Sequence, residues 1–80
     1  MDHNLKSRIV TNPEVLVGKP IIRGLRISVE QILRAMAGGV PESELLADFP
    51  DLERDDLRAC MLYAAEMIAS ERVYSIPLEA

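Results

Sequence analysis

The spacing of apolar residues changes near residue 28 and divides the chain into an extended front and a helical remainder. Short β-prone runs at Arg8–Thr11 and Ile21–Arg23 are each followed by residues that favour turns. From residue 28 onward, apolar residues recur every three or four positions, which predicts helices. Strands this short do not survive alone, so they must pack on the helices or pair with another chain. The sequence leaves open whether the two strands pair within one chain or across a dimer.

The first predicted helix begins at Ser28, which forms a capping box with Gln31 three residues later. Its end is set by Gly38–Gly39, because glycine readily adopts the left-handed conformation that closes a helix. Between these limits one apolar stripe has helical spacing: Val29, Ile32, Leu33 and Met36.

A short second helix is predicted from Pro41 to Pro50, and a longer third helix from about Glu53. The third helix is apolar almost all round, which predicts that it is covered on two sides. We expect its principal core face to consist of Leu57, Met61, Ala64, Ala65 and Ile68. We expect a second copy of the chain to cover the remaining positions, namely Ala59, Cys60, Leu62, Tyr63 and Met67.

These elements predict a mostly α fold, a three-helix, helix-turn-helix-like domain with one or two short N-terminal strands that forms a homodimer. We expect a frayed N-terminus at residues 1–7, a single domain at 8–70 and an extended tail at 71–80. The tail places Tyr74, Ile76 and Leu78 on one side. This side is suited to a partner surface, or else it folds back onto the helices of its own or a second copy.

Catalytic residues are scarce, which argues against an enzyme. The only histidine is His3, in the segment expected to fray, and the only thiol is Cys60, inside an apolar run. These two residues do not form a nucleophilic pair or a structural metal site, so we expect neither a metal nor a cofactor. With one cysteine, no signal-peptide pattern and no membrane-spanning run, we expect a cytoplasmic protein.

Charge is distributed unevenly, with six basic and three acidic residues up to position 34, and three basic and ten acidic residues after it. Acids at the start of the third helix would repel phosphate, so that helix is a poor DNA reader. The candidate DNA-binding residues are Lys19, Arg23 and Arg26, with Arg8 considered beside them, and then Arg54 and Arg58. The alternative is that Arg23 and Arg26 form ion pairs with the acidic helices.

Several strings between Ile9 and Ile68 resemble the bacterial domain-of-unknown-function family 433 (DUF433). The longest is Gly18–Gly24, followed by Arg26–Ile27. The others are Asn12–Val15, Val29, Ile32–Leu33, Gly39, Pro41–Glu42, Leu45–Leu46, Asp48–Leu52 and the helix from Asp56 to Ala65.

The resemblance implies a small helix-turn-helix-type protein of the antitoxin class. Such a protein is encoded beside a PIN-like nuclease toxin, which it binds and neutralises, and it also represses its own operon. Leu25 stands where the family usually has threonine, and Val40 and Glu53 stand where a Ser or Thr commonly caps the second and third helices. These departures weaken the implied DNA binding more than the implied partner binding. A stand-alone DNA-binding regulator is the alternative function.

Overall fold

A computed structural model describes residues 3–11, 14 and 18–70 of this protein. The architecture is mostly helical with one two-stranded sheet, as the sequence predicts. In chain order the elements are α1 (His3–Ser7), β1 (Ile9–Thr11), β2 (Pro20–Ile22), α2 (Val29–Ala37), α3 (Glu42–Asp48) and α4 (Arg54–Ser70).

The two strands pair with each other inside one chain. β1 lies antiparallel to β2, with Ile9 opposite Ile22 and Thr11 opposite Pro20. Beyond the strand ends, the Arg23 backbone N–H donates to the Arg8 carbonyl over 2.7 Å. The predicted turn at 12–13 and the apolar residues 15–17 lie outside the described residues. The pairing within one chain answers the question that the sequence left open.

A tight loop carries the chain from β2 into α2. The Leu25 N–H donates to the Ile22 carbonyl, and the Ile22 N–H donates to the Ile27 carbonyl at 3.0 Å. Gly24 has a φ of 81°, in the region that L side chains rarely adopt. A Cβ at this glycine would meet no atom within 4 Å, so backbone conformation rather than space requires glycine here.

Both ends of α2 agree with the sequence prediction. The Ser28 hydroxyl accepts a hydrogen bond from the Gln31 backbone N–H at 2.9 Å, which satisfies one of the unpaired donors at the helix start. At the other end Gly39 has a φ of 95°, and its N–H donates to the Met36 carbonyl. Glycine-based closure of this kind ends the helix without strain.

Residues 49–53 connect α3 to α4, and the short helix precedes the longer one, as the sequence predicts. α3 starts after Pro41, which makes no side-chain cap bond. At the start of α4 the Asp56 carboxylate accepts a hydrogen bond from the Glu53 backbone N–H at 2.8 Å. This is the reaching-back half of a capping box, so Asp56 fixes where α4 begins.

The core lies between the sheet, α2, α3 and the first half of α4. It consists of Ile22, Ile27, Val29, Ile32, Leu45, Leu52, Leu57 and Cys60.

The predicted core face of α4 is wrong for Met61 and Ile68, which lie beyond the first two turns of the helix. Leu57 is fully buried, but Met61 is 43% exposed and Ile68 is 65% exposed. The buried side of α4 instead contains Asp56, Leu57, Ala59 and Cys60. Because α4 is longer than the elements packed on it, its last turns extend past the core. No described helix is long and apolar enough to cross a membrane.

The N-terminal segment differs from the frayed start predicted for residues 1–7. Helix α1 occupies His3–Ser7, and its Leu5 side chain is only 5% exposed. An ion pair of 3.4 Å joins Lys6 to Glu66 of α4. Contacts with α4 therefore stabilise a helix too short to form by itself, which a local pattern could not predict.

Candidate functional site

Three of the five candidate DNA-binding cations are in ion pairs within the chain. Lys19 Nζ lies 3.0 Å from Glu30 Oε1, Arg54 Nε lies 3.5 Å from Glu42 Oε1, and Arg58 Nη1 lies 3.2 Å from Asp55 Oδ1. Each pair is solvent-exposed, so it contributes little to stability. The pairing does reduce the positive charge that these side chains present to a phosphate backbone.

Arg23 and Arg26 behave differently from the other three. Both are exposed on the loop around Gly24, and neither forms an ion pair within the described parts of the chain. The alternative prediction, that these arginines pair with the acidic helices, is therefore not met among the described residues. Arg23 and Arg26 are therefore two exposed cations on the same turn.

Arg8 is the arginine that pairs with the acidic helix. Its Nη1 atom donates to Glu53 Oε1 at 2.7 Å and to Asp56 Oδ1 at 2.9 Å. These hydrogen bonds, first with Glu53 and then with Asp56, raise the pKa of the Arg8 guanidinium above its usual value. Arg8 therefore ties β1 to the start of α4, and it is not an open phosphate ligand as considered from the sequence.

A small polar cavity of about 180 Å³ opens beside this cluster. Arg8, Arg23, Asp51, Glu53 and Asp56 contribute its charged lining. Arg8, Glu53 and Asp56 pair with one another, whereas Arg23 and Asp51 form no ion pair among the described residues, so the cavity exposes a structural network beside two open charges. Sequence reasoning missed this network because its partners are 45 and 48 residues apart.

An acidic patch on α3 and the following turn consists of Glu44, Asp48 and Asp51. All three residues are exposed, and none forms an ion pair with any residue that the structure describes. Glu44 and Asp48 are four residues apart on one helix, so they share a face. Glu44 and Asp48 therefore present negative charge that no described residue pairs, and Asp51 adds a third unpaired carboxylate at the cavity that Arg23 also lines.

An apolar groove of about 570 Å³ runs between α2 and the outer half of α4. Its apolar walls include Val29 and Leu33 from α2, and Tyr63, Met67 and Ile68 from α4. Met67 is 44% exposed, although it is a large apolar side chain. The groove therefore continues the apolar surface of the core outward between α2 and α4.

The rim of the groove has two cations that share one carboxylate, which leaves it a net charge of +1. Glu30 accepts hydrogen bonds from Arg34 Nε at 2.8 Å and from Lys19 Nζ at 3.0 Å. These contacts, first that of Arg34 and then that of Lys19, hold the pKa of the Glu30 carboxyl below its usual value. A ligand in the groove would therefore meet an ionic rim whose charges are already engaged.

Two of the five predicted dimer-interface residues are buried inside the chain itself. Ala59 is 1% exposed and Cys60 is 0% exposed, so neither reaches a second copy. Leu62 and Tyr63 are half-buried, and Met67 lines the groove. The apolar pattern around α4 did not distinguish positions covered by the chain's own core from positions left outside.

Burial also determines the chemistry of Cys60. Removal from water, and secondarily the negative charge of Asp56, raises the pKa of the Cys60 thiol to about 12. A thiol with such a high pKa has almost no thiolate at neutral pH, and thiolate is the nucleophilic form. Cys60 fits the role of a small core residue. The predicted partner-binding residues Tyr74, Ile76 and Leu78 lie outside the described residues.

Comparison with known proteins places the chain in a family. The model of the family described as "Protein of unknown function (DUF433)" matches residues 9–64. The uncharacterised protein y4eO of Sinorhizobium fredii is 29% identical over 56 residues, which cover 70% of this chain. The chain spans only 25% of the length of that relative.

A crystal structure of a DUF433 member from Anabaena variabilis has the same fold, with a TM-score of 0.74 and 33% identity. The match covers 82% of this chain and 65% of the Anabaena chain. The range that the family model matches contains β1, β2, α2, α3 and most of the length of α4 up to residue 64. This chain therefore belongs to the DUF433 family.

Proposed function

We propose that this protein is an antitoxin-like binding protein, without catalytic activity, that neutralises a basic, PIN-like nuclease toxin in the cytoplasm. The observation that carries the proposal is the group of exposed carboxylates on α3 and the following turn that lack ion-pair partners among the described residues, whereas most described cations have one and only Arg23 and Arg26 do not. Glu44, Asp48 and Asp51 are unpaired among the described residues, whereas Lys19, Arg54 and Arg58 are paired. Unpaired carboxylates on one surface favour a positively charged partner.

The chemistry of such a partner explains why an acidic patch is useful. A nuclease that binds RNA presents basic side chains to phosphates, and carboxylates of an inhibitor can occupy the same positions. The complementary charge also accelerates encounter, and the effect decreases with salt. Contacts by the tail residues 71–80 remain part of this proposal as a prediction.

The test is co-expression with the product of the neighbouring toxin-like gene, followed by affinity measurement. The variant E44Q/D48N/D51N removes the patch charge with little change in side-chain size. We expect its affinity to fall roughly ten- to hundredfold, on the order of 1.4–2.7 kcal/mol for three peripheral charges. A neighbouring product that is harmless alone, or that forms no complex with the wild-type protein, would contradict the proposal.

A matched control separates the patch from net charge. The variant E14Q/E30Q/E66Q removes the same number of carboxylates from other exposed positions. We expect it to bind the toxin within about threefold of wild type, because the effect of distant charges is largely screened. An equal loss of affinity in both triple variants would mean that total charge, not the α3 patch, supports binding.

Operator DNA is the second candidate ligand, because Arg23 and Arg26 protrude from one turn without ion-pair partners among the described residues. Removing one cation that neutralises a phosphate lowers the slope of log affinity against log salt by about 0.9. R23A/R26A should therefore reduce that slope by about 2 per protomer. R54A/R58A is the control, since both arginines are already paired, and a larger reduction in this variant would shift the DNA site to α4.

We also infer a homodimer formed through the outer face of α4. Met61, Ala65 and Ile68 form an exposed apolar stripe at helical spacing, and the small central alanine permits close approach of a second helix. A two-fold axis would place the same stripe on both sides of the interface. Light scattering at micromolar concentration should give twice the chain mass, and M61E should give the monomer mass. A monomeric wild-type protein would contradict the dimer.

A further inference from the structure

The exposed apolar surface of this protein is concentrated on one element. The large apolar side chains that remain exposed among the described residues are Met61, Met67 and Ile68, all on α4. Two of them, Met67 and Ile68, line the α2–α4 groove. An open apolar groove of about 570 Å³ in so small a domain calls for an occupant.

The chain itself continues from the end of this groove. α4 ends at Ser70, within one helical turn of Met67 and Ile68, and ten further residues follow. Three residues separate Ser70 from Tyr74, and the four Cα–Cα steps between them span up to about 14 Å. This distance is sufficient for the chain to reverse direction and return along α4.

The tail segment Tyr74–Leu78 matches the groove in length and pattern. Along α2, Val29 and Ala37 are separated by about 12 Å at 1.5 Å per residue. An extended segment from Tyr74 to Leu78 spans about 13 Å, with apolar side chains at alternate positions on one side. Pro77 lacks an N–H donor, which suits a segment lying between helices rather than inside a sheet.

The charge of the groove also fits this segment. Lys19 and Arg34 on the rim share the carboxylate of Glu30, so the rim keeps a net charge of +1 and offers no open carboxylate to a ligand. The sequence Tyr-Ser-Ile-Pro-Leu at 74–78 contains no charged residue. A strongly basic protein surface would not gain ionic partners here.

We propose that residues 74–78 lie in the α2–α4 groove of their own chain. Attachment through a three-residue linker gives the segment a millimolar or higher effective concentration at the groove. A second copy at micromolar concentration is at a large disadvantage for the same site. A partner that binds the apolar side of the tail therefore competes with the groove for the same side chains. This inference does not depend on a toxin or on DNA.

Nuclear Overhauser effects in full-length protein with labelled Met, Ile and Leu methyl groups test the proposal. We expect cross-peaks from the Met67 ε-methyl to the Ile76 and Leu78 methyls. In a mixture of two samples, one labelled only at Met and the other only at Ile and Leu, these cross-peaks should vanish. Cross-peaks that persist in the mixture would place the tail on a second copy and overturn the proposal.

Variants of the tail provide the second measurement. I76D should abolish the Met67 cross-peaks and shift the Met67 methyl, whereas I76L should retain both features. Met61 is the internal control, because it is as exposed as Met67 but lies outside the groove, so its methyl shift should not change. Narrow signals at unstructured shifts for residues 74–78 in the wild-type protein, without cross-peaks, would also overturn the proposal.

Discussion

The two halves of α4 have similar apolar content but opposite surroundings. In the first half, Leu57 and Cys60 are fully buried against α2, α3 and the sheet. In the second half, Met67 and Ile68 are 44% and 65% exposed beside an open groove. A continuous apolar helix can therefore contribute both to a core and to a binding surface. The position of the packed elements, rather than the helix sequence, separates the two.

Among the substitutions that test this comparison, Leu57→Ala is expected to lower the free energy of unfolding most. The fully buried leucine would leave a cavity, at a cost of about 2–5 kcal/mol in the free energy of unfolding. Urea denaturation followed by circular dichroism measures this loss. If Leu57→Ala cost less than about 1 kcal/mol, the inner half of α4 would not be the packed half.

The second effect concerns the network that fixes the start of α4. Arg8→Ala leaves the buried Asp56 carboxylate without its cation and should cost about 1–3 kcal/mol. Lys6→Ala is the control, since its ion pair with Glu66 is exposed and should cost less than about 1 kcal/mol. Equal denaturation midpoints for both variants would show that burial does not strengthen the Arg8 network.

The third effect is a pH dependence that reports the burial of Cys60. Its thiol has a pKa of about 12 in the folded chain, against about 9.0 for an unperturbed thiol. The unfolded chain therefore loses this proton first, and stability is complete below pH 9 and decreases between pH 9 and 12. The expected slope is about 1.4 kcal/mol per pH unit. Cys60→Ala should lack this contribution, and identical alkaline slopes would contradict it.

The smallest stability effect is expected in the outer half of α4. Ile68→Gln changes a side chain that is 65% exposed among the described residues, so it should cost less than Leu57→Ala, about 0.5–1.5 kcal/mol, through the cover that the proposed tail or second copy adds. Urea denaturation of this variant beside Leu57→Ala gives the contrast directly. A loss below about 0.5 kcal/mol would mean that neither the tail nor a second copy covers Ile68 in solution.

Local signals in the sequence were enough to predict most of the elements. The Ser28–Gln31 pair, Gly38–Gly39, Pro41 and Pro50 set helix limits within the first or last turn. Each acts through backbone conformation or through a hydrogen bond between near neighbours, so no knowledge of packing is required. The N-terminal helix α1 has no such signal, because packing on α4 stabilises it.

The candidate surfaces were less predictable because charge pairing is non-local. Arg23, Arg26 and Arg8 look equivalent in the sequence, yet Arg8 binds Glu53 and Asp56 while the other two point to solvent. Likewise, nothing in α3 itself indicated that Glu44 and Asp48 would lack partners among the described residues. Which charges remain open for a ligand is decided only after the chain has folded.

The sequence by itself determined the family, the order of strands and helices, and the turn residues that punctuate them, because these depend on interactions a few residues long. The tertiary structure decided which face of α4 is core and which lines a groove, and which ions are paired. Several of those outcomes depend on contacts between residues far apart in the sequence, such as Arg8 and Asp56, which are 48 positions apart. Burial and ion pairing depend on which side chains meet after folding, and the order of residues along the chain does not state this directly.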